Sequence, residues 1–196
     1  MYLKLDMTEN TLRVLSLFTS DFTRDYYVRE VGRLLDISPR TSQLVLENLE
    51  KKGIIKSKIR GKIKNYKLHI SESTKKYLVF VEHYKAISFL EEHLIIKEII
   101  EKITPTIEGI GVIFGSYVKG VEKKSSDLDI FIAGKYNRNE IRKISLKFGI
   151  DISIKCYPLK LFEKKLNEDI LIKEIFKNHV VFINAEQFIK MVFKNG

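Results

Sequence analysis

The chain has 196 residues, 35 Lys+Arg against 25 Asp+Glu for a formal net charge of +10, and 44% hydrophobic with 31% charged residues. This profile excludes a disordered or fibrous chain, and no apolar run approaches the roughly 20 residues that span a bilayer. The opening MYLKLDMTEN carries no signal-type apolar stretch, so a cytoplasmic location and no membrane partner are expected. The single cysteine, Cys156, and four scattered histidines exclude an intrachain disulfide and a Cys- or His-based zinc centre. The positive excess favours polyanionic partners, although usage dominated by Lys, Ile and Glu also arises from compositional bias alone.

From Thr8 to about Thr19, Leu12, Leu15, Leu17 and Phe18 recur at helical spacing. A second helix is predicted from Tyr27 to Leu35, with Val28, Val31, Leu34 and Leu35 on one face. Asp36-Ile37-Ser38 then forms a turn, Ser38 serves as N-cap, and Pro39 opens a third helix that stops at Gly53. Three short helices with a tight turn between the second and third give a helix-turn-helix reading.

After Gly53 the pattern turns to strand: Ile54 to Ile59, a turn at Arg60-Gly61-Lys62, then Ile63 to Leu68. No acidic residue interrupts the basic run from Lys51 to Lys67, so this hairpin offers a phosphate-contacting surface. Residues 8 to 68 resemble a winged-helix domain of prokaryotic transcription regulators, carried by SPRTSQLVLENLEKKGII. The resemblance implies that Arg40, Thr41, Ser42 and Gln43 face bases or phosphates and that Arg60 and Lys62 reach the backbone of DNA, with RNA as the other nucleic acid. The bland alternative is a docking or dimerisation module whose charge is a solvated face.

Residues 73 to 104 read as helical, with an apolar stripe of Tyr77, Phe80, Val81, Tyr84, Ile87 and Leu90. They couple the two halves or build a homodimer interface. Pro105 closes the region.

The second half opens on a short apolar strand, Ile110 to Phe114, followed at once by Gly115-Ser116. Glycine lets a backbone approach a ligand closely, and N–H groups at a following helix start suit phosphate oxygens. Next, Ser125 to Ile132 alternates with period two, which puts Asp127 and Asp129 on one face and Leu128, Ile130 and Ile132 on the other. Two carboxylates side by side call for a divalent cation between them. A third strand, Ile150 to Cys156, places Asp151, Ser153 and Lys155 on one face and makes Cys156 a buried small hydrophobe. Asp127, Asp129 and Asp151 are thus read as one converging acidic cluster.

Gly-Ser, ten intervening residues and Asp-x-Asp resemble the DNA polymerase beta-like nucleotidyltransferases, specifically the minimal nucleotidyltransferase branch, over Gly109 to Val181. The resemblance implies an α+β protein with a winged helix at 1–72, a helical connector at 73–104 and, at 105–196, an α/β nucleotidyltransferase domain with a small mixed sheet. It implies that Gly115 and Ser116, with Lys119 and Ser126, contact the nucleotide and that Asp127 and Asp129 ligate two Mg²⁺ ions. Asp151 joins them and assists the acceptor hydroxyl. ATP or another nucleoside triphosphate is the implied substrate. Family members often carry Ala-Arg where this chain has Val118-Lys119, which keeps the charge and loses bidentate phosphate contact. Minimal members include antitoxins that adenylylate a HEPN-type ribonuclease toxin, so a toxin partner is also implied. The competing expectation is a DNA-binding regulator whose second domain only binds nucleotide or a partner.

Overall fold

The computed structural model describes residues 7–123, 125–166 and 168–194. Most of the opening stretch read for a signal, residues 1–6, lies outside them, as do the last two residues of the expected third domain. The chain forms two compact units that divide at Val81/Glu82. Among the described residues no helix is long and apolar enough to cross a membrane.

The first unit begins with α1 (Glu9–Ser20), β1 (Tyr26–Tyr27), α2 (Val28–Leu35) and α3 (Pro39–Lys51). Thr8 caps α1 by accepting from the Thr11 N–H, and Ser38 caps α3 by accepting from the Thr41 N–H, as short hydroxyl side chains do at helix starts. Strands β2 (Ile55–Arg60) and β3 (Ile63–Leu68) form the expected hairpin. The two-residue β1, too short to leave a sequence signal, adds to β3 and gives an antiparallel sheet in the order β1-β3-β2. Val14, Leu15, Phe18, Val31, Leu46, Leu49, Ile54 and Tyr66 are buried. Leu34, expected on the inner face of α2, is exposed, while Gly32 is buried where α2 comes close to Ile37 and Ser42.

The helical stretch is two helices, α4 (Glu72–Glu92) and α5 (Leu94–Ile103), broken at His93. The inner face of α4 differs from the expected stripe: Leu78, Val81, Glu82, Ala86 and Phe89 are buried, whereas Phe80 and Ile87 are exposed. Both sets repeat at helical spacing, and the buried one includes a carboxylate, so hydrophobicity alone selects the wrong face.

In the second unit β4 (Ile107–Phe114), the short α6 (Ser116–Lys119), β5 (Leu128–Tyr136), α7 (Arg138–Phe148) and β6 (Ile152–Tyr157) follow in turn. Then come α8 (Leu159–Lys165), α9 (Ile170–Lys177), β7 (Val180–Ile183) and α10 (Ala185–Lys194). The sheet order is β6-β5-β4-β7, with β5 antiparallel to β4 and parallel to β6, a mixed sheet. Strand β7 had not been expected; it is four residues long and pairs with β4 from far along the chain.

One face of the sheet packs Ile113, Leu128, Ile130 and Ile132 against Ile96, Ile99 and Ile103 of α5, Ile141 of α7 and Phe89 of α4. On the other, Phe131 meets the rings of Tyr157 and Phe162. Strand β5, covered on both faces and paired on both edges, positions the Asp-x-Asp segment.

Candidate active site

Register brings the site together. Phe114, the last residue of β4, pairs with Asp129 of β5, and Asp129 pairs in turn with Ser153 of β6. Gly115 follows with φ +82, a conformation L side chains rarely adopt. A Cβ at this position would run into the Asp129 carboxylate. The glycine is therefore required twice over, by its backbone angle and by the carboxylate against its Cα. Ser116 starts α6 and Lys119 ends it, with Gly120 closing the turn in the left-handed region.

The Asp129 carboxyl is held above its usual range, first by burial and then by the negative charge of Asp127, while a hydrogen bond from Ser153 and the charge of Lys155 pull the other way. A partly buried carboxylate raised by a like charge is a place where a cation gains more than in water. Asp127 and Asp129 therefore fit a divalent cation by donor type and by charge.

Asp151 behaves differently from the expected convergence. Among the described residues no group of three or more His, Cys, Asp and Glu side chains is gathered to hold a metal ion. Asp151 precedes β6, its carbonyl accepts from the Leu128 N–H at 2.8 Å, and its side chain is exposed. It lines the same cavity of about 670 Å³ as Asp127 and Ser153. The acidic centre is thus a pair with a third carboxylate on the rim of the adjoining cavity.

The nucleotide-side candidates are partly engaged. The Ser126 hydroxyl accepts from the Lys123 N–H at 2.8 Å, which folds the segment before Asp127. Lys119 Nζ lies 3.0 Å from Glu174 Oε1 in a solvent-exposed pair. Tyr117, which sequence reasoning passed over, donates its hydroxyl to the Ser126 carbonyl at 3.4 Å. Burial, Glu122 and Asp127 raise its phenol pKa, in that order. His93 meets the Tyr117 ring edge-on, with centroids 6.2 Å apart, and its Nε2 lies 3.7 Å from Glu122. Nothing in the local sequence around His93 ties it to this site. Ser153 and Lys155 carried a usable signal, their two-residue spacing after Asp151.

In the first unit, Arg40 is exposed in the first turn of α3. Thr41 is held by the Ser38 hydroxyl at 2.8 Å, and Gln43 donates to Glu47. Ser42 is corrected: it is fully buried and donates to the Ser38 carbonyl, so it presents nothing to a ligand. Arg60 and Lys62 flank the hairpin tip; Arg60 remains mostly exposed while pairing with Asp25 at 3.1 Å.

Residues 95–187 match the family model described as "Polymerase beta, Nucleotidyltransferase". No curated protein matches the chain. A solved structure described as "Structure of TrmBL2, an archaeal chromatin protein, shows a novel mode of DNA binding" aligns at 17% identity over 87% of this chain and 70% of that one. Its TM-score of 0.30 is too low to carry an argument.

Proposed function

We propose that the second unit transfers a nucleoside monophosphate, AMP from ATP, to a hydroxyl of a macromolecular acceptor. The observation that carries this reading is the seating of the Asp129 carboxylate, with the charge of Asp127 beside it, against the Gly115 turn, within a segment that matches a nucleotidyltransferase family. Asp127 and Asp129 would hold Mg²⁺. When bound, divalent cations supply charge neutralisation of the triphosphate and a lowered pKa for the attacking hydroxyl.

The residues of the chain do the rest. Gly115 lets the triphosphate approach the backbone. The N–H groups at the start of α6 and the Ser116 hydroxyl face its oxygens, and Lys119 adds positive charge from the end of the same turn. Ser153 and Lys155 offset part of the effect of burial on Asp129, and Asp151 would take the acceptor proton.

Incubation with radiolabelled nucleotides and Mg²⁺ tests the reading: labelling of an acceptor by the wild type should fall at least a hundredfold in Asp127→Ala/Asp129→Ala. Equal labelling by the two proteins would discard it.

A second activity is supported by the hairpin. Lys56, Lys58, Arg60 and Lys62 are exposed along β2 and its turn, as expected of a winged helix whose wing touches the DNA backbone. The same protein would then repress its own operon as an antitoxin paired with a HEPN-type toxin. A gel shift on DNA upstream of its gene, weakened in Arg60→Gln/Lys62→Gln, is expected; no shift at low salt removes DNA.

A further inference from the structure

Lys119, at the end of the turn that follows β4, is held from outside that turn. Its Nζ lies 3.0 Å from Oε1 of Glu174, on α9, 55 residues further along the chain. The other carboxylate oxygen, Oε2, accepts from Lys177 Nζ at 3.2 Å, one turn on in the same helix. Glu174 thus bridges two ammonium groups, one from α6 and one from α9, with one oxygen toward each.

Helix α9 is rooted in the second unit: Asp169 caps its start, Ile172 and Ile175 are buried, and Phe176 meets the ring of Phe188 edge-on. Glu174 and Lys177 are left on its outer face, at a spacing where helical side chains meet. Hydrogen bonds from Lys119 and then Lys177 hold the Glu174 carboxyl below its ordinary range. Both pairs are open to solvent, and screening leaves such pairs little effect on stability. What the bridge does fix is where the two lysines point. An ammonium group is a point charge without the fork of a guanidinium, and a second lysine facing the same anion restores a second contact.

We propose that Lys177 joins Lys119 in holding the β- and γ-phosphates of the nucleotide, and that Glu174 is a built-in competitor occupying their place on both lysines. For its ligand this rests on the transfer reading above. A triphosphate brings more charge and more acceptor oxygens than one carboxylate, and bonds from ammonium to phosphate are charge-assisted. It therefore displaces Glu174, whose side chain turns to solvent; no covalent bond is made or broken. A nucleoside monophosphate lacks the outer phosphates and gains nothing by displacing it. Glu174 thereby sets a threshold that triphosphate and pyrophosphate pass and monophosphate does not.

Inorganic tripolyphosphate is the probe, since it carries linked phosphates without base or sugar. Titrated with Mg²⁺ into the full chain and followed by calorimetry, it should bind several-fold more tightly in Glu174→Gln and about tenfold more weakly in Lys177→Gln. Lys177→Arg should keep the affinity. Lys173→Gln, which removes an exposed charge from the same helix, should leave it unchanged, and unfolding midpoints should match the wild type throughout. Equal affinities in wild type, Glu174→Gln and Lys177→Gln overturn the proposal. So does binding lost only in Arg60→Gln/Lys62→Gln, or no binding at all. In the labelling assay KM for the triphosphate should follow the same order while kcat holds; transfer at the wild-type KM in both α9 variants discards the competitor and leaves the transferase reading. Because tripolyphosphate reads binding alone, the expected order of affinities without any transfer counts against the transferase reading and leaves the phosphate contact standing.

Discussion

Glu82 Oε2 lies 3.2 Å from His179 Nε2, and neither side chain has any solvent exposure. The same carboxylate holds Lys85 at 2.9 Å, and Lys85 Nζ lies 3.0 Å from that imidazole nitrogen. His179 Nδ1 faces the Phe176 carbonyl at 2.9 Å and must donate to it, which leaves Nε2 toward Glu82 and Lys85. Burial would raise the Glu82 pKa, but Lys85 and His179 more than offset it and hold it at about 2, below its ordinary 4.5. A depressed acid stabilises the fold fully above its unfolded value and loses that contribution as pH falls through the folded one. The second unit should therefore lose roughly 3 kcal/mol between about pH 4.5 and pH 2 from this group. In Glu82→Gln the mostly buried Lys85 charge loses its carboxylate partner, which costs about 3–5 kcal/mol at pH 7 and removes that acid dependence. Urea unfolding at several pH values measures both; a variant with unchanged midpoint and acid slope would contradict the assignment.

The Asp129 carboxyl offers a measurement that needs no substrate. Asp127→Asn removes a like charge and should lower its pKa, whereas Ser153→Ala removes a hydrogen bond to the ionised form and should raise it. Carbon-13 carboxyl titration by NMR resolves the two directions. Shifts of the same sign would show that the two neighbours do not act as described.

Gly115→Ala should leave the protein folded and stop transfer. The methyl group meets the Asp129 carboxylate and the backbone stays at an unfavourable φ, a strain of order 1–2 kcal/mol before any displacement of the carboxylate. A loss of about a hundredfold or more in labelling, with a near-native circular dichroism spectrum, is expected. Normal labelling would place the phosphate turn elsewhere.

Lys119→Ala separates stability from binding. The Lys119–Glu174 pair is exposed on both sides, and solvent screening leaves such pairs little effect on stability. The unfolding midpoint should barely move while the KM for nucleotide rises several-fold; unchanged KM would assign the lysine to the ion pair alone.

Local pattern predicted much of this architecture. Period-two alternation around Asp127 and Asp151 reported the two strand faces because Leu128, Ile130 and Ile132 all enter the core. The Ser38-Pro39 start of α3 was legible for an equally local reason, a cap followed by a fixed φ. What escaped was set by contacts between distant segments. The inner face of α4 depends on a buried Glu82 whose partner His179 lies far along the chain. Strand β7 carries too few residues to declare itself, and the rim position of Asp151 follows from where β6 begins. Ser42 shows the same limit: its spacing suits a groove-facing helix position, but its neighbours fold over it.

Strand β5 has neighbours on both edges, and the alternate residues beside Asp129 root in the core. Its amides should accordingly be among the slowest in the chain to exchange with deuterium, opening only when the second unit unfolds as a whole. The carboxylate at Asp129 is then as long-lived in its place as the fold itself. Adaptation to a different nucleotide or acceptor then falls to exposed segments outside that strand, such as the turn after β4.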